Sequence, residues 1–165
     1  VARRVSDAAS QLEIKELLPS DPFCLSGGQA RRVALASILT LSPRAVVLDE
    51  PTAGLDPEGV SEILQLLQKI QREKGVTIVI ATHEMDIVPL FCDYAYVINR
   101  GRVALSGTPK ELFQEPQKLR ENHLQLPRIA QLMEVLSQED KLPIDQTAAT
   151  VSEGREAVKK LLRKD

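Results

Sequence analysis

At 165 residues with 43% hydrophobic side chains, the chain is long enough to bury a real core, and it is the size of one domain or of a core plus an appendage. Its 27% charged residues nearly cancel to a formal net charge of −2, and with no Trp, two Tyr and three Phe it shows no basic stripe interleaved with aromatics, which argues against a nucleic-acid partner. The longest apolar runs, such as VTIVIA at 76–81, are far too short to cross a bilayer, and no signal-peptide pattern precedes them, so the sequence reads as a soluble chain. Cys24 and Cys92 lie far apart without metal-like spacing and read as two ordinary buried thiols of a reduced, cytosolic protein.

The first residues fall in mid-pattern. Val5, Ala8, Ala9 and Leu12 already mark one face of a helix and position 1 is not Met, so the chain reads as truncated upstream. That helix is expected to run to about Leu18, where Pro19, Ser20, Asp21 and Pro22 stop it. LSGGQARRVALASIL at 25–39 follows: Ser26 is a good N-cap, Gly27 and Gly28 lack side chains, and a helix-forming run continues to Leu41. AVVL at 45–48 predicts a short strand ending at Asp49 and Glu50. Asp56 and Pro57 then mark a helix start, with Val60, Ile63, Leu64, Leu67 and Ile70 as its apolar stripe and Gly75 as its stop. VTIVIA predicts a second strand, and strand, helix, strand with both strands apolar predicts a parallel sheet covered on both faces.

Beyond it, a helix is expected from Glu84 toward Phe91, kinked or ended early by Pro89. YAYVI at 94–98 and RVALSG at 102–107, joined by Asn99, Arg100 and Gly101, predict an antiparallel hairpin on the sheet edge. From Thr108 the chain reads as short amphipathic helices in TPKELF, LPRIAQLMEVL and TVSEGREAVKKLL, the last capped by Thr150 and Glu153, with 140–150 as a mobile linker.

Three stretches carry chemistry. The start of the 27–39 helix directs free backbone N–H groups and the positive end of the helix dipole over Ser26, Gly27 and Gly28, which suits a phosphate oxygen; a Ser-capped helix with glycines in a tight turn explains the same residues. Asp49 at the end of an apolar strand suits Mg²⁺, which takes hard oxygen ligands, and Glu50 could orient or deprotonate an attacking water; both could equally cap a turn. Thr82 and His83 end the other strand, where an open parallel sheet gathers ligands, and His83 could meet a γ-phosphate or be a plain surface residue.

In order, LSGGQ, AVVLDEPTAGLDP and IVIATHE resemble the signature motif, the Walker B strand with its D-loop, and the switch-histidine region of the ATP-binding-cassette ATPases, over roughly residues 20–107. The resemblance implies an α/β fold: the second half of a P-loop NTPase (RecA-like) core with parallel strands and an edge hairpin, part of the helical subdomain, and a helical C-terminal appendage. It implies that Asp49 is the magnesium-associated aspartate, Glu50 the catalytic base and His83 the switch histidine. Asp56 would be the D-loop aspartate, and Leu25, Ser26, Gly27, Gly28 and Gln29 the signature that touches the γ-phosphate of ATP held by a second subunit. The implied cofactors are ATP and Mg²⁺. The expected segments are 1–42, the end of the helical subdomain; 43–108, the second half of the ATPase core; and 109–165, the extension.

None of the eight glycines belongs to a G-x-x-x-x-G-K-[ST] loop, so this chain has no Walker A sequence, and the Q-loop is missing as well. That loop supplies most of the grip on the β- and γ-phosphates, so the chain alone is expected to hold ATP poorly and to be inactive. RGRVALSGTPKELFQEP followed by LQLPRIAQLMEVL is similar to the energy-coupling-factor and cobalt-type importer ATPases. That likeness implies a vitamin or a cobalt or nickel ion as cargo, and a second ATPase subunit, identical or paralogous, as partner. It also implies integral membrane coupling and substrate-capture proteins, and a cytoplasmic location at the inner face of the membrane. A cassette ATPase without a membrane partner, and a non-catalytic module that only lends LSGGQ to a partner's nucleotide, are the alternatives. Ala30 and Arg31 depart from the residues that many relatives place after LSGGQ.

Overall fold

A computed structural model of the protein describes residues 2–163. The chain forms two compact units, one ending at Thr82 and the other beginning at His83.

The first unit starts with α1 (Ala2–Gln11) and a single 3-10 turn at Lys15–Leu17. The helix therefore stops well short of Leu18. Leu12 and Ile14 are both buried, and residues two apart on a helix do not share a face; Glu13, in the left-handed conformation at φ 54°, lets both turn inward. Helix α2 (Gly27–Leu39) is capped by Ser26, whose hydroxyl accepts from the Gln29 N–H at 3.3 Å while the Gln29 side chain accepts from the Ser26 N–H at 3.0 Å.

Strands β1 (Ala45–Asp49) and β2 (Thr77–Ala81) pair in parallel, from Ala45 opposite Thr77 to Asp49 opposite Ala81. Helix α3 (Pro57–Lys74) connects them and buries Ile63, Leu67 and Ile70. Asp56 accepts from the Gly59 N–H at 2.8 Å, Pro57 stands in the first turn, and Gly75 closes the helix at φ 64°, as its sequence predicts. Only one face of the pair is covered, contrary to expectation. Val46 is buried, whereas Val47 and Val79, opposite each other on the other face, are 71% and 48% exposed.

In the second unit the expected helix from Glu84 is a single turn, α4 (Val88–Phe91). Proline lacks an N–H and disfavours helix in the residue before it, so Pro89 fits only in the first turn and the helix begins around it. Strands β3 (Ala95–Asn99) and β4 (Arg102–Gly107) form an antiparallel hairpin that is its own two-stranded sheet, turning through Arg100 at φ 50° and Gly101 at φ 72°. Four helices follow: α5 (Pro109–Phe113), α6 (Pro116–Glu121), α7 (Arg128–Gln138) and α8 (Val151–Leu162). Val97, Phe113, Leu119, Leu126 and Ala130 share one core. Residues 140–150, read from the sequence as a linker, are a packed strap: Ile144 and Ala148 are buried with Met133 and Ala157 in a second cluster. Of the two cysteines, Cys24 is exposed and Cys92 partly buried, so only Cys92 resembles the expected inert thiol; burial and the neighbouring Asp93 charge push its pKa up.

Candidate nucleotide-facing site

The capping box leaves Ser26, Gly27 and Gln29 exposed at the start of α2. A Cβ added to Gly27 or Gly28 would meet nothing within 4 Å, and neither residue has a positive φ. The Ser-capped helix is present, and neither glycine is required there by a left-handed backbone. Glycine in a helix costs up to about 1 kcal/mol relative to alanine, and no close approach among the described residues calls for it at either position. The open side of the two glycines faces outward, where another group can reach the backbone.

Two arginines tie this helix to the rest of the first unit. The Arg31 guanidinium donates to the carbonyl oxygen of Ala53, in the loop between β1 and α3, and Arg32 pairs with Glu62 on α3. The same loop holds Thr52, 1% exposed, and Gly54 at φ 70°, a conformation that disfavours other residues. Arg31, a departure from the residues many relatives place after LSGGQ, links the α2 helix to the loop that leads to Asp56.

Asp49 closes β1 with an exposed carboxylate, and Glu50, half-buried, leaves the strand in the left-handed conformation at φ 46°. The Glu50 N–H donates to the Ala81 carbonyl at 2.9 Å, so the ladder extends one residue past the strand. From the end of β2 the Thr82 hydroxyl donates to the Glu50 carboxylate at 3.2 Å. The two strand ends thus meet in one place, as the parallel reading requires. His83 is exposed and opens the second unit. Among the described residues no group of three or more His, Cys, Asp or Glu side chains is placed to hold a metal ion. The exposed Asp49 carboxylate, a hard oxygen donor, fits Mg²⁺, which keeps several waters and needs few protein ligands. The sequence names Arg31 and Thr82 but gives neither a role, because each acts through a contact more than twenty positions away.

A family model described as "AAA domain, putative AbiEii toxin, Type IV TA system" matches residues 10–88. An energy-coupling factor transporter ATP-binding protein of Clostridium perfringens is 47% identical over 158 residues, 96% of this chain and 55% of that protein. One from Methanococcus maripaludis is 40% identical over 163 residues, 99% of this chain and 58% of that protein. The chain thus spans little more than half the length of these curated relatives. In structure it is similar to cbiO1 of Clostridium perfringens, described as part of the ABC transporter complex cbiONQ, with 52% identity and a TM-score of 0.66 over 81% of this chain and 53% of that one. It is also similar to an ATP-binding cassette of an ABC transporter in its ADP conformation, with 27% identity and a TM-score of 0.67 over 73% of this chain and 48% of the other. By motif order, sequence identity and fold, the chain belongs to the ATP-binding-cassette ATPases and resembles most their energy-coupling-factor branch.

Proposed function

We propose that this chain is the signature-bearing and Walker B-bearing portion of an importer ATPase, and that its Ser26–Gly28 turn contacts ATP held by a second subunit. The supporting observation is the pair of helical glycines that nothing in the chain itself requires. In this reading the segments 1–42, 43–108 and 109–165 act as the end of the helical subdomain, the second half of the ATPase core and a C-terminal extension.

Backbone N–H groups at the start of α2 and the Ser26 hydroxyl bind the γ-phosphate oxygens, with Leu25 and Gln29 holding the turn in shape. Asp49 would hold Mg²⁺, directly or through water, and the ion would supply charge neutralisation at the phosphates. Glu50 orients the attacking water and accepts its proton at the carboxylate. His83 binds the γ-phosphate side and registers its loss, and Asp56 reaches across to the partner subunit. With no G-x-x-x-x-G-K-[ST] sequence of its own, this chain alone does not turn ATP over.

The likeness to energy-coupling-factor and cbiO proteins supports the finer assignment: a homo- or heterodimer of ATPase subunits, bound to integral membrane coupling and capture proteins at the cytoplasmic face. The cargo would be a vitamin or a transition metal ion such as cobalt or nickel. No helix among the described residues is long and apolar enough to cross a membrane. The test is Glu50→Gln in the full-length ATPase that carries this chain. Stable ATP-bound dimers with turnover lost are expected, and unchanged turnover would sink the assignment. Co-purification with membranes separates the importer from a cassette ATPase that works without a membrane partner.

A further inference from the structure

Glu50 has a difficult task if it is the base. Its carboxylate sits on a long side chain with three rotatable bonds, at a residue whose backbone has already left the strand in a left-handed turn. A base that wanders among rotamers meets the attacking water only part of the time, and misplacements of about 1 Å can cost on the order of a hundredfold in rate. Something has to hold it.

Two features of β2 bear on this. The parallel register sets Asp49 opposite Ala81, and the ladder bond from the Glu50 N–H to the Ala81 carbonyl at 2.9 Å carries the pairing one step further, so that position 82 lies beside position 50. Thr82 is β-branched, and its χ1 is stiff. Its hydroxyl donates to the Glu50 carboxylate at 3.2 Å, across 32 positions of sequence. Elsewhere in this unit hydroxyls bond locally: Ser10 to the Ser6 carbonyl, Ser37 to the Val33 carbonyl and Thr40 to the Ser37 carbonyl. A hydroxyl kept only for strand propensity or helix capping would do the same. Thr82 instead commits its proton to the carboxylate that the mechanism uses.

We infer that Thr82 is a positioning residue, a short rigid donor on β2 that holds the Glu50 carboxylate in the orientation in which it meets the attacking water. The inference rests on the reading of Glu50 as the base. A carboxylate offers about four lone-pair sites and the Thr82 hydroxyl takes one of them, so the contact restricts the base without using up its capacity to accept a proton. Thr82 need not touch nucleotide, and its removal should therefore separate turnover from binding.

The experiment compares Thr82→Val, Thr82→Ser and Glu50→Gln in the full-length ATPase that carries this chain, measuring kcat, KM for ATP, ATP-dependent dimerisation and the thermal midpoint. Valine keeps the shape and removes the hydroxyl. The expected result is a kcat lowered about tenfold or more in Thr82→Val, with KM, dimerisation and midpoint as in the parent, and with most of kcat retained in Thr82→Ser. Wild-type kcat in Thr82→Val beside an inactive Glu50→Gln would overturn the inference and leave the base intact. So would a Thr82→Val defect in which KM and midpoint change together with kcat, or one that serine does not share in sparing, because either describes a merely structural residue. Normal turnover in Glu50→Gln would instead remove the base itself, and the inference with it.

Discussion

The guanidinium of Arg31, on the second turn of the signature helix, donates to the backbone carbonyl of Ala53, in the loop that leads from Glu50 to Asp56. The helix that begins at the LSGGQ stretch and the loop that leads to Asp56 are thereby joined through one side chain. A second Arg31 nitrogen, Nη1, and the Thr52 hydroxyl are buried and unpartnered among the described residues, so this junction gains less than a fully satisfied network would.

Replacing Arg31 with Met keeps the apolar stem, removes the bond to Ala53 and also removes a buried unpaired N–H. The two effects oppose, each on the order of 1–3 kcal/mol, and global stability is expected to change by less than about 1 kcal/mol. The loop, however, loses its tether. Hydrogen exchange at the Ala53 and Leu55 amides, which donate to Glu50 and Thr52 at 3.2 Å, should quicken roughly tenfold, whereas exchange within α3 stays unchanged.

Gly27→Ala and Gly28→Ala separate stability from function. Each Cβ enters open space on a helix, so each variant should be at least as stable as the parent, by about 0.5 kcal/mol, in urea unfolding. If the Ser26–Gly28 turn contacts ATP as proposed, turnover of the full-length ATPase should nevertheless fall by about tenfold or more, because the methyl then stands in the path of the phosphate. A stability loss with normal turnover would mean that the glycines serve the fold.

Gly154 on α8 behaves in the opposite way. It is buried, and a Cβ there would stand 3.0 Å from the Ile129 Cγ2 on α7. Gly154→Val should destabilise the second unit by about 1–3 kcal/mol through overpacking, measured as a lowered thermal midpoint.

The second unit should also lose stability in acid. Asp145 has its pKa lowered chiefly by the Thr147 hydroxyl and N–H, which donate to it at 2.7 and 2.9 Å. Glu153 is raised by burial, but the Ala149 and Thr150 N–H groups and the Thr150 hydroxyl outweigh this and leave it lowered. A depressed folded-state pKa stabilises above the unfolded value, about 4 for a carboxylate, and that stability is lost as pH falls through the folded value. Thermal melts should therefore be flat from about pH 5 to 7 and fall below about pH 4. Asp145→Asn combined with Glu153→Gln should flatten the acid limb.

Much of this was legible where the chemistry is local. Ser26 with Gln29, Asp56 with Pro57, Gly75, and Thr150 with Glu153 each satisfy helix-end groups within a few residues, and the structure has each helix end there. Strands β1 and β2 were legible because a short β-branched run has few other uses. Helix α6 was not: six residues with Leu119 as their one buried side chain make no periodic stripe. The break after α1 was also hidden, because Glu13 turns left-handed only to serve the burial of Leu12 and Ile14, which depends on what packs against them. Arg31 with Ala53 and Thr82 with Glu50 span 22 and 32 positions, and no local pattern encodes such pairs. The motif points to Glu50, and the fold adds the Thr82 hydroxyl that donates to it.

Titration of the chain with Mg-ATP at millimolar concentration in a calorimeter decides whether it lends its Ser26–Gly28 turn to a nucleotide gripped elsewhere. With a folded circular dichroism spectrum, no binding heat is expected. Tight binding would contradict that role, because the chain would then contain a phosphate cradle of its own.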